Sequence, residues 1–305
     1  MYQKTIKSKI NFKGIGLHSG LICNLVIKPA APNSGINFIR VDYKGKEKTI
    51  PAYIENSLPA KLCTTISNNY VSIATIEHLM SSLSGMGVDN ATVEIDSQEL
   101  PILDGSSKDF VIAIQDTGIT SQAVEKKYIK ILKKIIVKDK DKFISIEPTN
   151  KKKLEIDYEI NFHDRVIKKQ SKNINLEKDE FMQVYDARTF CLQKDLENIF
   201  KMGLAKGGSL ENAIVVSEDK VLNQDGLRYK DEFVRHKILD CIGDLYLAGY
   251  SIIGKVNCYQ GGHDMNRKLL EALIKNKNAW TLTTYNPKNF STVSSYLPNQ
   301  LVVNL

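Results

Sequence analysis

One pattern, written twice, constrains this chain more than any other feature. In the first half a helical segment, "TIEHLMSSLSG", expected to end at Gly85, leads to the strand "NATVEID", the turn "PILDGSS" and a second helix, "SKDFVIAIQDTG". In the second half a long helix over 231–248 leads through Gly249 to the strand "SIIGKVNCY", a Gly-Gly turn and the helix "DMNRKLLEALIKN". His78 and Asp240 each stand nine residues before a corresponding glycine, Gly87 and Gly249. The repetition predicts an α+β fold of two similar domains from an apparent duplication, each a layered β-sheet with packed helices. One polar group from each half would then face a shared cleft. The expected domains are 1–122 and 123–305, with the polar connection "ITSQAVEK" at the boundary.

A length of 305 residues suits two domains. Residues 1 to about 70 read as β-rich, with "KTIKSKINF", "LICNLVIKP", "GINFIRVDY" and "YVSIAT" between Gly, Pro and Asn breaks. In the second half "YIKILKKIIVKD", "KFISIEP", "LEIDYEINF" and "ENAIVVS" read as strands, and "EKDEFMQVY" and "LQKDLENIFKMG" as helices.

The long second-half helix has Asp231 as its N-cap, Glu232 in its first turn and Gly249 as its stop. Val234, Ile238, Cys241, Ile242 and Leu245 share one face. His236, Asp240 and Asp244 recur at intervals of four on the other. Two readings are open, a solvated polar stripe and a metal site with its supporting groups. Phe233 and Leu247 flank the stripe, and a helix facing water rarely places such residues there. The stripe is therefore expected to face a partly buried space. There a metal or a hydrogen-bonded partner would relieve the cost of an unpaired carboxylate.

Composition narrows the function classes. No apolar run approaches membrane-spanning length, and the opening "MYQKTIKSKINF" lacks the apolar stretch of a signal peptide, so a cytoplasmic protein without a transmembrane segment is expected. Cys23, Cys63, Cys191, Cys241 and Cys258 form no C-x-x-C pair, which disfavours a disulfide framework and a cysteine zinc site. The net charge of +7 would help recruit an anionic substrate. Only six of the 42 basic residues are arginine, and neither arginine nor stacked aromatics cluster, so nucleic acid is not an expected partner.

The chain has five histidines, His18, His78, His163, His236 and His263. A catalytic zinc takes three protein ligands and keeps one position open. His78, His236 and Asp240 could supply the three. Glu77, adjacent to His78, could act as base toward water at the metal. The order Glu-His, with Ser82 in place of a second histidine, differs from the H-E-x-x-H pattern. His263, after "YQGG", could protonate a leaving amine, with Asp244 as its carboxylate partner. A plain helix surface and a helix cap are the ordinary readings of such residues taken singly. Their joint appearance in two matching helices favours a metal hydrolase.

The segments "GIGLHSG", "TIEHLMSSLSGMGVDN", "LPILDGSS", "DARTFC", "KGGSLENAIVV", "FVRHKILDCIGDL" and "GGH" run in order from residue 14 to residue 263. They resemble the signature segments of the UDP-3-O-acyl-N-acetylglucosamine deacetylases, zinc-dependent enzymes of lipid A and lipopolysaccharide biosynthesis. The resemblance implies zinc on His78, His236 and Asp240, Glu77 as general base, His263 as general acid and Asp244 as its support. It implies Thr189 as a hydrogen-bond donor to the oxyanion and Lys237 beside the developing charge. Phe190, Leu192, Leu196, Ser209, Ala213 and Val215 would line a passage for the acyl chain. Phe162 would stack on the uracil, Lys142 and Asp195 would contact the nucleotide, and Cys63 would lie near the metal cleft. Two departures stand out. Gln260 occupies a place where many members carry lysine, and Leu192 one where many carry phenylalanine. "GIGLHSG" lacks the third glycine of a dinucleotide site and reads as a hairpin turn, with His18 structural or near the substrate.

The expected protein is thus a monomeric cytoplasmic zinc amidase acting on a UDP-linked, acylated amino sugar, with ferrous iron able to share the same ligands. The rivals are a zinc deacetylase acting on another amide and a non-enzymatic RNA-binding α/β protein.

Overall fold

The computed structural model describes residues 1–284 and the backbone of 301–304. Of the expected second domain, 285–300 and 305 lie outside the described residues. The first half carries β1 (Tyr2–Ile6), β2 (Ile10–Ile15), β3 (Ile22–Pro29), β4 (Ile36–Arg40), β5 (Thr49–Pro51), β6 (Ile66–Ser67), β7 (Ser72–Ile73), α1 (Glu77–Met86), β8 (Ala91–Ile95) and α2 (Lys108–Thr117). Then follow β9 (Ile119–Glu125), β10 (Lys127–Ile131), β11 (Ile135–Asp139), β12 (Lys142–Glu147), β13 (Leu154–Asn161), β14 (Lys169–Asn175) and α3 (Lys178–Phe181). The chain continues with β15 (Phe190–Leu192), α4 (Leu196–Lys201), β16 (Ile214–Val216), α5 (Glu232–Leu245), β17 (Ser251–Tyr259), α6 (His263–Lys275), β18 (Trp280–Thr284) and β19 (Leu301–Asn304).

The first sheet has the order β2-β3-β8-β4-β5, and the β4–β8 pair is parallel while its other pairs are antiparallel. The second sheet contains the path β11-β12-β17-β13-β14, in which β13–β17 is parallel and the rest are antiparallel. Strand for strand, order and sense agree. In each half a helix precedes the central strand, α1 before β8 and α5 before β17, and another follows it. The second sheet also takes in β10, β18 and β19. This is the mixed α+β architecture expected from the repeated pattern.

Alternation explains the sheets. Cys23, Leu25 and Ile27 of β3, and Leu154, Ile156, Tyr158 and Ile160 of β13, turn inward at every second position. The helices of the two halves meet, α1 against α5, while α5 also lies on β13 and β14 and α2 on β2. Gly243 permits this approach, because a Cβ there would collide with the main-chain carbonyl of Glu77. The helix pair therefore holds the start of α1 against the last turn of α5. Gly87 and Gly249 both take left-handed backbone, φ 73° and 78°, where each chain turns toward its central strand.

Several local expectations need correction. The helix expected to stop at Gly85 runs to Met86; Gly85 is internal, and the Phe181 ring occupies the space that a Cβ there would need. "KTIKSKINF" is two strands, β1 and β2. "ITSQAVEK" is strand β9, paired antiparallel with β1, rather than a plain connection. Asp231 sits at the cap of α5, but its carboxylate accepts from Arg235 instead of capping the helix. The helix expected over 231–248 is α-helical to Leu245 and tightens to a 3-10 turn over Tyr246–Ala248. Among the described residues no helix is long and apolar enough to cross a membrane. All five cysteines are free.

Candidate metal centre

Helix α1 meets the site end-on. Its first two residues, Glu77 and His78, are 3% and 4% exposed. Helix α5 meets it side-on, so residues one turn apart, His236, Asp240 and Asp244, point the same way and are all buried. Ligand atoms of His78, His236 and Asp240 all lie within 4.8 Å of one another. Nε2 of His236 is 3.3 Å, and Nε2 of His78 is 3.7 Å, from Asp240 Oδ1. That oxygen is buried and has no hydrogen-bond partner, an exceptional state for a carboxylate.

The electrostatics explain which forms are held. Burial pulls the His236 pKa down to about 3, against the opposing pull of Asp240, so the imidazole is neutral. Its Nδ1 lies 3.0 Å from the Ala187 carbonyl, to which it donates, and this turns the Nε2 lone pair toward the cluster. Burial acts against ionised Asp240, but the charges of Lys237 and His263 outweigh it and hold the carboxyl well below its ordinary range. Two imidazoles and a carboxylate with a free oxygen form a donor set suited to a zinc-sized cation.

Around the triad stand two more ionisable groups, Glu77 and His263. Burial raises the Glu77 pKa, with His263 and His78 opposing. His263 is the first residue of α6, and its Nδ1 lies 2.9 Å from Asp244 Oδ2. Burial works against its charge, but Asp244 and then Asp240 prevail and push the pKa up to about 9. Its Nε2 is 3.8 Å from Glu77 Oε1. Lys237 donates to Asp240 Oδ2 at 2.9 Å.

The cluster opens into a cavity of about 740 Å³ lined by residues of both halves. Residues 3–275 match the family model described as LpxC, UDP-3-O-acyl N-acetylglycosamine deacetylase. A UDP-3-O-acyl-N-acetylglucosamine deacetylase of Shewanella violacea is 43% identical over 306 residues, covering 99% of each chain. Those of Mannheimia succiniciproducens and Haemophilus influenzae are 43% and 42% identical, again over 99% of each chain. The chain belongs to the LpxC family.

Most residues implied by the resemblance to this family gather on the one cavity. Glu77, His78, His236, Asp240, Lys237, His263 and Thr189 line it together with Phe190, Leu192, Leu196, Ser209, Ala213, Val215, Phe162, Lys142 and Asp195. Phe162 meets Phe190 edge-on at 5.8 Å. Strands β15 and β16 pair in parallel and bring Phe190, Cys191, Leu192 and Val215 to the cavity. Asp244 stands behind His263 and does not line the cavity. Cys63 does not line it either; it is buried, with its thiol pushed up to about 12 by desolvation.

His18, in the turn between β2 and β3, lines the cavity, and both its ring nitrogens are buried without a partner. Burial lowers its pKa, against the pull of Glu99. Gln260 lines the cavity with its amide tied to the Asn161 carbonyl at 3.0 Å, so a neutral group stands there. Two site residues carried no signal in sequence. Thr64 and Asn266 both donate to Asp244, at 2.5 and 2.8 Å.

Proposed function

We propose that this chain hydrolyses the N-acetyl group of UDP-3-O-acyl-N-acetylglucosamine, releasing acetate, as an early step of lipid A biosynthesis in the cytoplasm. One observation carries this reading. The triad of His78, His236 and Asp240, with Glu77 and His263 beside it, opens into a single cavity that continues along the apolar residues of β15, α4 and β16. Chemistry on an amide and room for an acyl chain are thereby combined.

Zinc is the cation assigned to the three ligands, with ferrous iron as the alternative. When bound it supplies Lewis acidity toward the amide carbonyl and toward water. The remaining work falls to the chain. Glu77 accepts a proton from the attacking water; its burial makes it a stronger base than an exposed glutamate. His263 holds its proton because Asp244 supports the imidazolium, and delivers it to the departing nitrogen. Thr189 donates to the developing oxyanion, and Lys237 adds positive charge beside it. Phe190, Leu192, Leu196, Ala213 and Val215, with Ser209, receive the acyl chain. Phe162, Lys142 and Asp195 receive the uridine diphosphate end.

Acetate release from UDP-3-O-acyl-N-acetylglucosamine tests the reading. Zinc-loaded protein should release acetate, lose this activity on treatment with a chelator and regain it with added zinc. A loaded protein that binds the UDP-sugar without releasing acetate would overturn the reading. One that deacetylates other amides and ignores this sugar would move the site to another substrate class.

A further inference from the structure

Thr64 lies in the loop just before β6, far in sequence from α5, and is 5% exposed. Its main-chain N–H donates to Glu77 Oε2 at 3.1 Å. Its hydroxyl donates to Asp244 Oδ1 at 2.5 Å and lies 3.4 Å from His263 Nδ1. Its carbonyl accepts the N–H of Ile76 at 3.3 Å, immediately before α1. One residue therefore touches the carboxylate offered by α1 and the carboxylate offered by α5.

The hydroxyl has a single proton and gives it to Asp244, since a carboxylate only accepts. Toward His263 Nδ1 it presents a lone pair, so Nδ1 must carry hydrogen. That leaves Nε2 as the nitrogen that faces Glu77 and Asp240 and exchanges a proton. Asp244 Oδ2 is taken up by His263 and Asn266. Without the hydroxyl, Oδ1 would be buried with no donor, and the carboxylate would gain by rotating away from the line to His263.

We propose that Thr64 is the positioning residue that fixes Glu77 and the Asp244–His263 pair relative to each other, by its main-chain N–H on one side and its hydroxyl on the other. This rests on the roles proposed above for Glu77 and His263.

The test uses the zinc-loaded full chain. Thr64→Val keeps the shape and the N–H and removes the hydroxyl; Thr64→Ser restores it. The valine variant should lose roughly 10-fold to 100-fold in kcat, the scale for groups that orient a reacting residue, with KM and zinc content unchanged. Serine should recover turnover near wild type. In an Asp244→Ala background, Thr64→Val should add little further loss, because the hydroxyl acts through Asp244. Wild-type kcat in the valine variant, a serine variant as impaired as valine, or a loss fully additive to Asp244→Ala would each overturn the proposal. Circular dichroism checks each fold, and if valine does not fold, Thr64→Ala takes its place in the same comparison. Glu77→Ala and His263→Ala are run alongside. Full turnover in those two would refute the acid–base assignment itself, whereas their loss with an unimpaired Thr64→Val would refute the present inference alone.

Discussion

Helices α1 and α5 occupy equivalent places in the two halves, each passing through a left-handed glycine into the central strand of its sheet. They reach the site differently. A helix met end-on can offer only neighbours in sequence, and α1 offers Glu77 and His78. A helix met side-on offers every fourth residue, and α5 offers His236, Asp240 and Asp244. The Glu-His pair and the spaced His-Asp-Asp stripe are thus two views of the same structural unit. The close approach at Gly243 is what lets one helix end rest on the other's flank.

The most damaging way to break this comparison is to take a ligand from either side. His78→Ala removes one from α1, and His236→Ala or Asp240→Ala one from α5. Each should lose stoichiometric zinc on dialysis, and acetate release with it, because three protein ligands leave no spare. Elemental analysis reads the outcome, and tightly held zinc in all three variants would remove the site as drawn.

Next come the proposed proton-transfer groups, one from each half. Glu77→Ala and His263→Ala should keep zinc and fold yet lose about 10²-fold to 10⁴-fold in turnover. The plot of kcat/KM against pH should be bell-shaped. On the proposed roles its acidic limb should report Glu77, which must be ionised, and its alkaline limb His263, which must stay protonated. Without metal the His263 pKa stands at about 9, and a bound dication opposes the imidazolium, so the alkaline limb of the loaded enzyme should fall lower. Asp244→Ala removes a supporting carboxylate and should move that limb lower still. An unmoved limb, with His263→Ala near normal rate, would transfer the acid role to Lys237.

A smaller effect separates the matching glycines. Gly87→Ala should cost about 1–2 kcal/mol for a left-handed alanine. Gly249→Ala should cost more, since its Cβ would also strike the Tyr53 ring while that of Gly87 meets open space. Thermal melts of the two variants make the comparison, and equal losses would mean that Tyr53 moves aside freely. The smallest change is Leu192→Phe, which alters one wall of the cavity. It should shift the preferred acyl length without slowing deacetylation of the best substrate. An unchanged rank order of kcat/KM across chain lengths would take residue 192 out of the passage.

Sequence periodicity disclosed the elements whose two faces differ. Strand β13 and helix α5 were legible because burial alternates along the one, and the other sets an apolar face against a polar stripe. Strand β14, "KQSKNIN", was not, since most of its positions are polar and its place is set by pairing with β13. Strand β5 spans only Thr49–Pro51, too short for a pattern. The residues of the proposed metal site and acid–base pair were legible as candidates through the residue types that metal and proton transfer require. Thr64 was not, because a threonine in a loop has no periodicity and its partner, Asp244, is brought to it only by the packing of the two halves.

The parallel pairings of β4 with β8 and of β13 with β17 bear on how the chain folds. Ile36 meets Ala91 in the first sheet, but Leu154 must wait for Gly254 in the second. Closing the longer loop costs more entropy and is slower to reward. During refolding, amides of β4 and β8 should gain protection from hydrogen exchange before those of β13 and β17, and the reverse order would contradict this. On a ribosome the first sheet could be complete while α5 is still unmade. A nascent chain stopped short of β17 would carry every proposed metal ligand and lack the central strand of the sheet that holds them in place.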